Sequence, residues 1–212
     1  MKRHGWQGAL VLVIALTGRG ASEAATIIAY DGSNSPTTAA ASEVFPGVTP
    51  LDLSRGAGLN AGSGNTFNST GWDDEATDYL EWGWSASQPI DLTDLDLRYD
   101  RSGSGPTMLD IQLSVNGGSF TSIFSDAAVS DTGEDVLDID LTSYTGVTSA
   151  TFRLFGTGAS SGTGTFDLEP LTGIAPPAAI LVSGSAIPIP EPQAGLLAIV
   201  AALGLVVARR RR

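Results

Sequence analysis

The stretch Asp91-Leu-Thr-Asp-Leu-Asp-Leu-Arg-Tyr-Asp100 sets Leu95, Leu97 and Tyr99 against Asp94, Asp96, Arg98 and Asp100. A period of two sends alternate side chains to opposite faces of an extended chain, so one face here is apolar and the other charged. That is the pattern of an antiparallel strand packed on one side and wet on the other. The same alternation recurs in Met108–Val115, with Leu109, Ile111, Leu113 and Val115 against Asp110, Gln112 and Ser114. It recurs again in Val136–Leu141, with Leu137, Ile139 and Leu141 against Asp138 and Asp140. Further strand candidates are Thr26–Tyr30, Asp78–Trp84, Phe120–Phe124, Thr151–Phe155 and Gly164–Leu168. Asn116-Gly117, between two of these runs, predicts a hairpin turn, because both residues tolerate positive φ. No stretch between the chain ends holds a 3.6-residue period. The expected domain, over residues 25–175, is an all-β antiparallel β-sandwich, jelly-roll-like, with short strands and glycine-rich turns.

Composition narrows the chemistry. Positions 25 to 189 hold 21 acidic residues against four arginines (Arg55, Arg98, Arg101 and Arg153), a net charge of −17. Such a surface repels phosphate backbones, which excludes nucleic acid as a partner. The chain has no cysteine, and its only histidine and lysine are His4 and Lys2. Disulfides, thiolate nucleophiles, Ser-His-Asp catalysis, a Schiff-base lysine and the usual zinc site are therefore absent from the domain. Paired carboxylates and oxygen-ligand metal binding survive this subtraction.

Both ends are hydrophobic and differ in kind. Lys2 and Arg3 precede an eight-residue apolar run, Ala9 to Leu16, and Ser22-Glu23-Ala24 offers small residues before Ala25. This order matches a secretory signal helix, which assigns residues 1–24 to a signal peptide and predicts use of the export machinery. At the other end stand Pro190-Glu191-Pro192, an uncharged run of 15 residues from Ala194 to Ala208, and Arg209, Arg210, Arg211 and Arg212. The run makes about 22 Å of helix at 1.5 Å per residue, short for a bilayer core but able to act as a transmembrane helix. The terminal arginines hold the cytoplasmic side. Residues 176–189 read as a spacer, with a last strand near Ala179–Val182.

The tripeptide, the Ala- and Leu-rich helix and the arginine cluster together resemble the PEP-CTERM sorting signal of Gram-negative bacteria, over residues 190–212. That resemblance implies handling by an exosortase-like membrane processing enzyme near Pro190, Glu191 and Pro192. It further implies an anchored precursor, then residence at the cell surface or in an exopolysaccharide-rich extracellular matrix. A permanent tail anchor is the plainer alternative. More loosely, Ser54-Arg-Gly-Ala-Gly-Leu59, Thr66-Phe-Asn-Ser-Thr-Gly-Trp72, Leu97–Thr107 and Gly164-Thr-Phe-Asp-Leu-Glu169 resemble a β-sandwich module of such proteins, to which no activity is attached.

Two candidate sites follow from the residues. Trp72, Trp82 and Trp84 with Glu81 mix aromatics and a carboxylate as a sugar platform or a glycosidase would; the competing reading has Leu80, Trp82 and Trp84 filling the core on one strand face while Glu81 points to water. Asp31, Asp73, Asp74, Asp167 and Glu169 are candidate ligands for a structural Ca²⁺, though none forms a spaced loop, and no other cofactor is expected. Arg98 and Arg101 are expected to pair with Asp100 or a neighbouring carboxylate. The expected function is that of a non-enzymatic structural or adhesive surface protein, with a carbohydrate-binding module acting on exopolysaccharide as the alternative.

Overall fold

A computed structural model describes residues 24–187 apart from 34–36, 127, 132, 134 and 174–176. The expected signal helix (1–24, all but its last residue), the transmembrane helix (194–208) and the sorting residues Pro190, Glu191, Pro192 and Arg209 to Arg212 lie outside them. Among the described residues no helix is long and apolar enough to cross a membrane.

The described chain is antiparallel β throughout. Its strands are β1 (Ala25–Tyr30), β2 (Thr38–Ala39), β3 (Glu43–Val44), β4 (Val48–Arg55), β5 (Asn60–Ala61), β6 (Phe67–Thr70) and β7 (Tyr79–Arg101). There follow β8 (Met108–Val115), β9 (Thr121–Asp126), β10 (Asp135–Asp140), β11 (Val147–Thr157), β12 (Phe166–Leu168) and β13 (Ile180–Ala186). The stretches 78–84 and 91–100, expected as separate strands, are one strand of 23 residues. Its first part lies between β4 and β11 in a sheet ordered β2-β4-β7-β11-β8-β9. Its second part lies between β13 and β10, in a sheet that continues through β1 to β3 and, past β13, meets β12 and β6.

β7 passes from sheet to sheet where its register slips. Against β11, Ser85 pairs with Ser149 but Ile90 with Val147, so extra residues of β7, Pro89 among them, bulge out of the ladder. A second slip falls at Thr93: Leu92 pairs with Gly184 and Asp94 with Ser183. The apolar phase shifts with it, from Leu80, Trp82, Trp84, Ile90 and Leu92 to Leu95, Leu97 and Tyr99, and all of these remain buried. One added residue reverses the inward parity, and the bulge absorbs it.

The two sheets enclose one core. Trp82 stacks on Phe152 at 5.4 Å between centroids, and Trp72 meets Phe166 edge-on at 5.8 Å. Tyr30, on β1 of the second sheet, reaches the first: its hydroxyl donates to Leu51 O and lies 3.4 Å from Gly83 N, where the β4–β7 register slips. That burial pushes the phenol well above its usual range.

The turn Asn116-Gly117 has φ of 53° and 72°, and joins β8 to β9 as its composition predicts. The expected boundary at 175 is corrected. β13 bonds to β1 on one side and β7 on the other, with Ile180, Val182 and Gly184 buried, so the domain continues to Ile187. The Pro-Ala composition of 176–179 resembles a linker, but the alternation that follows is that of a central strand. Ile187, the last described residue, stands three positions before Pro190 in the sequence.

Candidate functional site

Trp72, Trp82 and Trp84 cannot form a sugar platform. They are 1 %, 0 % and 3 % exposed, and the reading in which they fill the core is the one that holds. The burial of Trp82 and Trp84 follows from alternation on β7: with Leu80, Trp82 and Trp84 inward, Tyr79, Glu81 and Gly83 must face out. Gly83 has no room for a side chain, since a Cβ there would lie 2.2 Å from Ala150 O.

Glu81 opens a row that crosses the outer face of the first sheet. Cross-strand partners Glu81 and Arg153 stand side by side on β7 and β11, followed by Gln112 on β8 and Ser122 on β9. One register step away run Tyr79, Phe155, Asp110 and Ser125. Directly opposed side chains on one face sit close enough to touch. The Tyr79 and Phe155 rings are 5.4 Å apart and tilted by 55°. Arg153 Nε donates to Glu81 Oε2 at 2.7 Å. Its guanidinium carbon lies 4.5 Å from the Tyr79 centroid and 4.3 Å from that of Phe120, which precedes β9. Asp110 accepts from Gln112 Nε2 at 2.6 Å and from the Ser122 hydroxyl at 2.5 Å.

The result is a half-buried patch of three aromatic rings around an arginine–carboxylate pair. Both charged side chains stay partly open to water, Arg153 at 31 % and Glu81 at 22 %. The rings provide flat apolar surface, and the polar groups provide donors and acceptors fixed by their neighbours. Such a surface can stack a sugar ring and bond its hydroxyls. Of these residues only Glu81 is a sequence candidate. Tyr79, Phe120, Asp110, Gln112, Arg153 and Phe155 are missed, and the available signal is an aromatic at a position that alternation sends outward.

The calcium candidates fall in separate places. Asp31 accepts from Ser33 N at 2.9 Å, and Ser33 in turn bridges to Thr66. Asp73 and Asp74 belong to the 71–78 loop, where Asp74, with φ of 64°, accepts from Gly158 N at 2.8 Å. The carboxylate of Asp78 gathers this loop by accepting from the backbone N–H groups of Asp73 and Glu75 at 2.8 and 2.9 Å. Asp167 lies on β12, accepts from Thr66 Oγ1 at 2.9 Å and neighbours Glu169. Burial, and then neighbouring carboxylates, hold Glu169 above the usual carboxylate range; Asp167 is likewise raised by burial, against the Thr66 hydrogen bond. Among the described residues no three carboxylates converge into a group of metal-binding size. The expected carboxylate pairing of Arg101 is also corrected: its guanidinium donates to the carbonyl oxygens of Val129 and Ser102, both at 3.0 Å.

The chain matches no protein-family model and no curated protein sequence. Among solved structures it is similar to a family 29 carbohydrate-binding module mutant complexed with mannohexaose, at 10 % identity and a TM-score of 0.40, covering 76 % of this chain and 93 % of that one. A family 29 module from Piromyces equi gives 11 % identity and a TM-score of 0.43, over 77 % and 93 %. Likenesses of this size bear on neither family nor ligand.

Proposed function

We propose that this is an exported, non-enzymatic protein of the cell surface or extracellular matrix that holds polysaccharide on the outer face of its first sheet. The observation that carries the reading is the patch of Tyr79, Phe155 and Phe120 around the Arg153–Glu81 pair. Alternation would place polar side chains at these outward positions, and large rings at the surface of an isolated domain commonly mark a binding site. Delivery would run through the N-terminal signal and the PEP-CTERM-like segment, with the export machinery and an exosortase-like enzyme as processing partners. The order of signal, domain, tripeptide, apolar run and arginines supports that part.

Affinity electrophoresis through gels containing neutral and acidic polysaccharides tests the binding. The native protein is expected to be retarded by at least one of them, and Tyr79→Ala to migrate freely in the same gel. Equal retardation of the two would move the site off this face. Mass spectrometry of the mature C-terminus from the native host tests the sorting: a terminus near Pro190–Pro192 supports it, and one at Arg212 leaves a permanent anchor.

A further inference from the structure

Arg153 differs from the other three arginines of the domain in where its guanidinium points. Arg55 donates from Nε to the Ser69 hydroxyl at 2.9 Å and from Nη2 to Asn68 O at 2.7 Å, with its guanidinium carbon 3.8 Å from the Phe67 centroid. Arg98 donates to Pro170 O, and Arg101 is 8 % exposed among carbonyl oxygens. Arg153 makes its one hydrogen bond through Nε, and among the described residues neither terminal nitrogen has a hydrogen-bond partner. The Tyr79 and Phe120 rings fix its plane. An arginine held this way presents a preorganised two-nitrogen fork, the geometry that matches a carboxylate with two parallel hydrogen bonds.

The surroundings set a limit on that preference. The domain carries a net charge of −17 over positions 25–189, with Glu81 directly opposite Arg153 and Asp110 one register step away on β8. A chain with an anion on every sugar would meet this field along its whole length, whereas one isolated carboxylate meets the fork at contact distance, inside the Debye length of about 8 Å. Resting on the sugar-binding reading above, we infer that the ligand is a sparsely acidic polysaccharide: an uncharged chain with an occasional carboxylate, which Arg153 takes while Tyr79 and Phe155 stack the neutral sugars beside it.

The probes are glucomannan, dextran and soluble cellulose derivatives, each in three grades. One is uncharged, one is oxidised to the uronate at roughly one sugar in ten, and one is oxidised at most sugars. The expected result is dissociation constants about tenfold lower for the sparse grade than for its uncharged parent, the size of one good charge-assisted contact. The heavily oxidised grade should bind more weakly than the sparse one and gain affinity as salt rises from about 20 to 150 mM, because screening removes the domain-wide repulsion. In Arg153→Gln the ratio between sparse and uncharged grades falls to one, and in Arg153→Lys it is partly kept. Near-ultraviolet circular dichroism of the buried tryptophans confirms that each variant is folded. Equal binding of sparse and uncharged grades overturns the inference and leaves the sugar-binding face intact, as does tightest binding of the heavily oxidised grade. No retention of any grade removes the sugar-binding reading and this inference with it.

Discussion

The two outer faces of the sandwich are built on the same strand and have opposite characters. On the first sheet β7 presents Tyr79 and Glu81, and each meets a partner that suits it: Phe155 for the ring and Arg153 for the carboxylate. On the second sheet β7 presents Asp94, Asp96 and Asp100, and each meets another aspartate across the ladder: Asp140, Asp138 and Asp167. Opposite charges side by side stabilise a sheet and like charges destabilise it, by about 0.2–1 kcal/mol each. The first face is locally complementary and offers flat surface. The second accepts local repulsion, and what it gains is a wet, charged exterior that does not pair with neighbouring molecules. A strand's sequence is thus answerable to its neighbours on each sheet separately.

The contrast can be broken from the inside first. Trp82→Ala removes a fully buried ring stacked on Phe152 and is expected to destabilise the domain by about 3–5 kcal/mol in urea unfolding. A folded Trp82→Ala protein with near-native stability would return that ring to the list of surface candidates. Next comes Phe155→Ala on the first outer face, which should weaken polysaccharide binding roughly tenfold while costing about 1 kcal/mol of stability. Asp96→Asn on the second face has the opposite sign. It removes one member of a like-charge pair and should raise the melting temperature by about 1–4 °C without changing polysaccharide retention. A lower melting temperature would mean that the aspartate row is held by something other than water.

The smallest effect is with pH. Burial, then Asp138 and Asp94, hold Asp96 above the usual carboxylate range, and Asp167 and Glu169 are raised as well. A raised carboxylate favours the folded state when protonated, so the folded protein takes up protons before the unfolded chain does. Stability therefore falls as pH rises through the folded values, and mild acidification from neutrality should raise the melting temperature. Asp140 acts the other way. Hydrogen bonds from Thr142 lower it, so its contribution is present above the ordinary carboxylate value of about 4 and is lost as pH falls further. A melting-temperature series from pH 8 to 3 should accordingly pass through a maximum on the acid side of neutrality. A monotonic decline from pH 8 downward would contradict this account.

Alternation makes the inner face of β7 legible in the sequence: Leu80, Trp82, Trp84, Leu95, Leu97 and Tyr99 are all buried. Knowing which residues fill the core also names those that do not, and Tyr79 is readable from the same period. Its partner Phe155 is not, because a single strand carries no information about the register that sets the two rings together. β4 escapes notice for another reason. It contains Pro50, which lacks a donor, and Val48–Leu53 reads as intermediate, four exposed residues and one buried, with no alternation. The continuity of β7 is hidden by Gln88-Pro89, which resembles a break but forms the bulge that carries the strand between sheets. The Trp-rich stretch gave the right strand and the wrong face for a ligand. Residue type alone favours tryptophan for a sugar platform, but burial decides.

The last strand has one further consequence. β13 is bonded to β1 through Ile180 to Gly184 and to β7 through Ile180 to Ala186, so it lies inside the second sheet. Any pull on the chain beyond Ile187 therefore enters through a central strand. Drawn along the strand axis, the load falls on both ladders at once, and many hydrogen bonds must yield together before the strand slides. An edge strand peeled from its free end would give way one bond at a time. Under a load applied at the Ile187 end, the position of seven residues sets how firmly the domain stays in one piece.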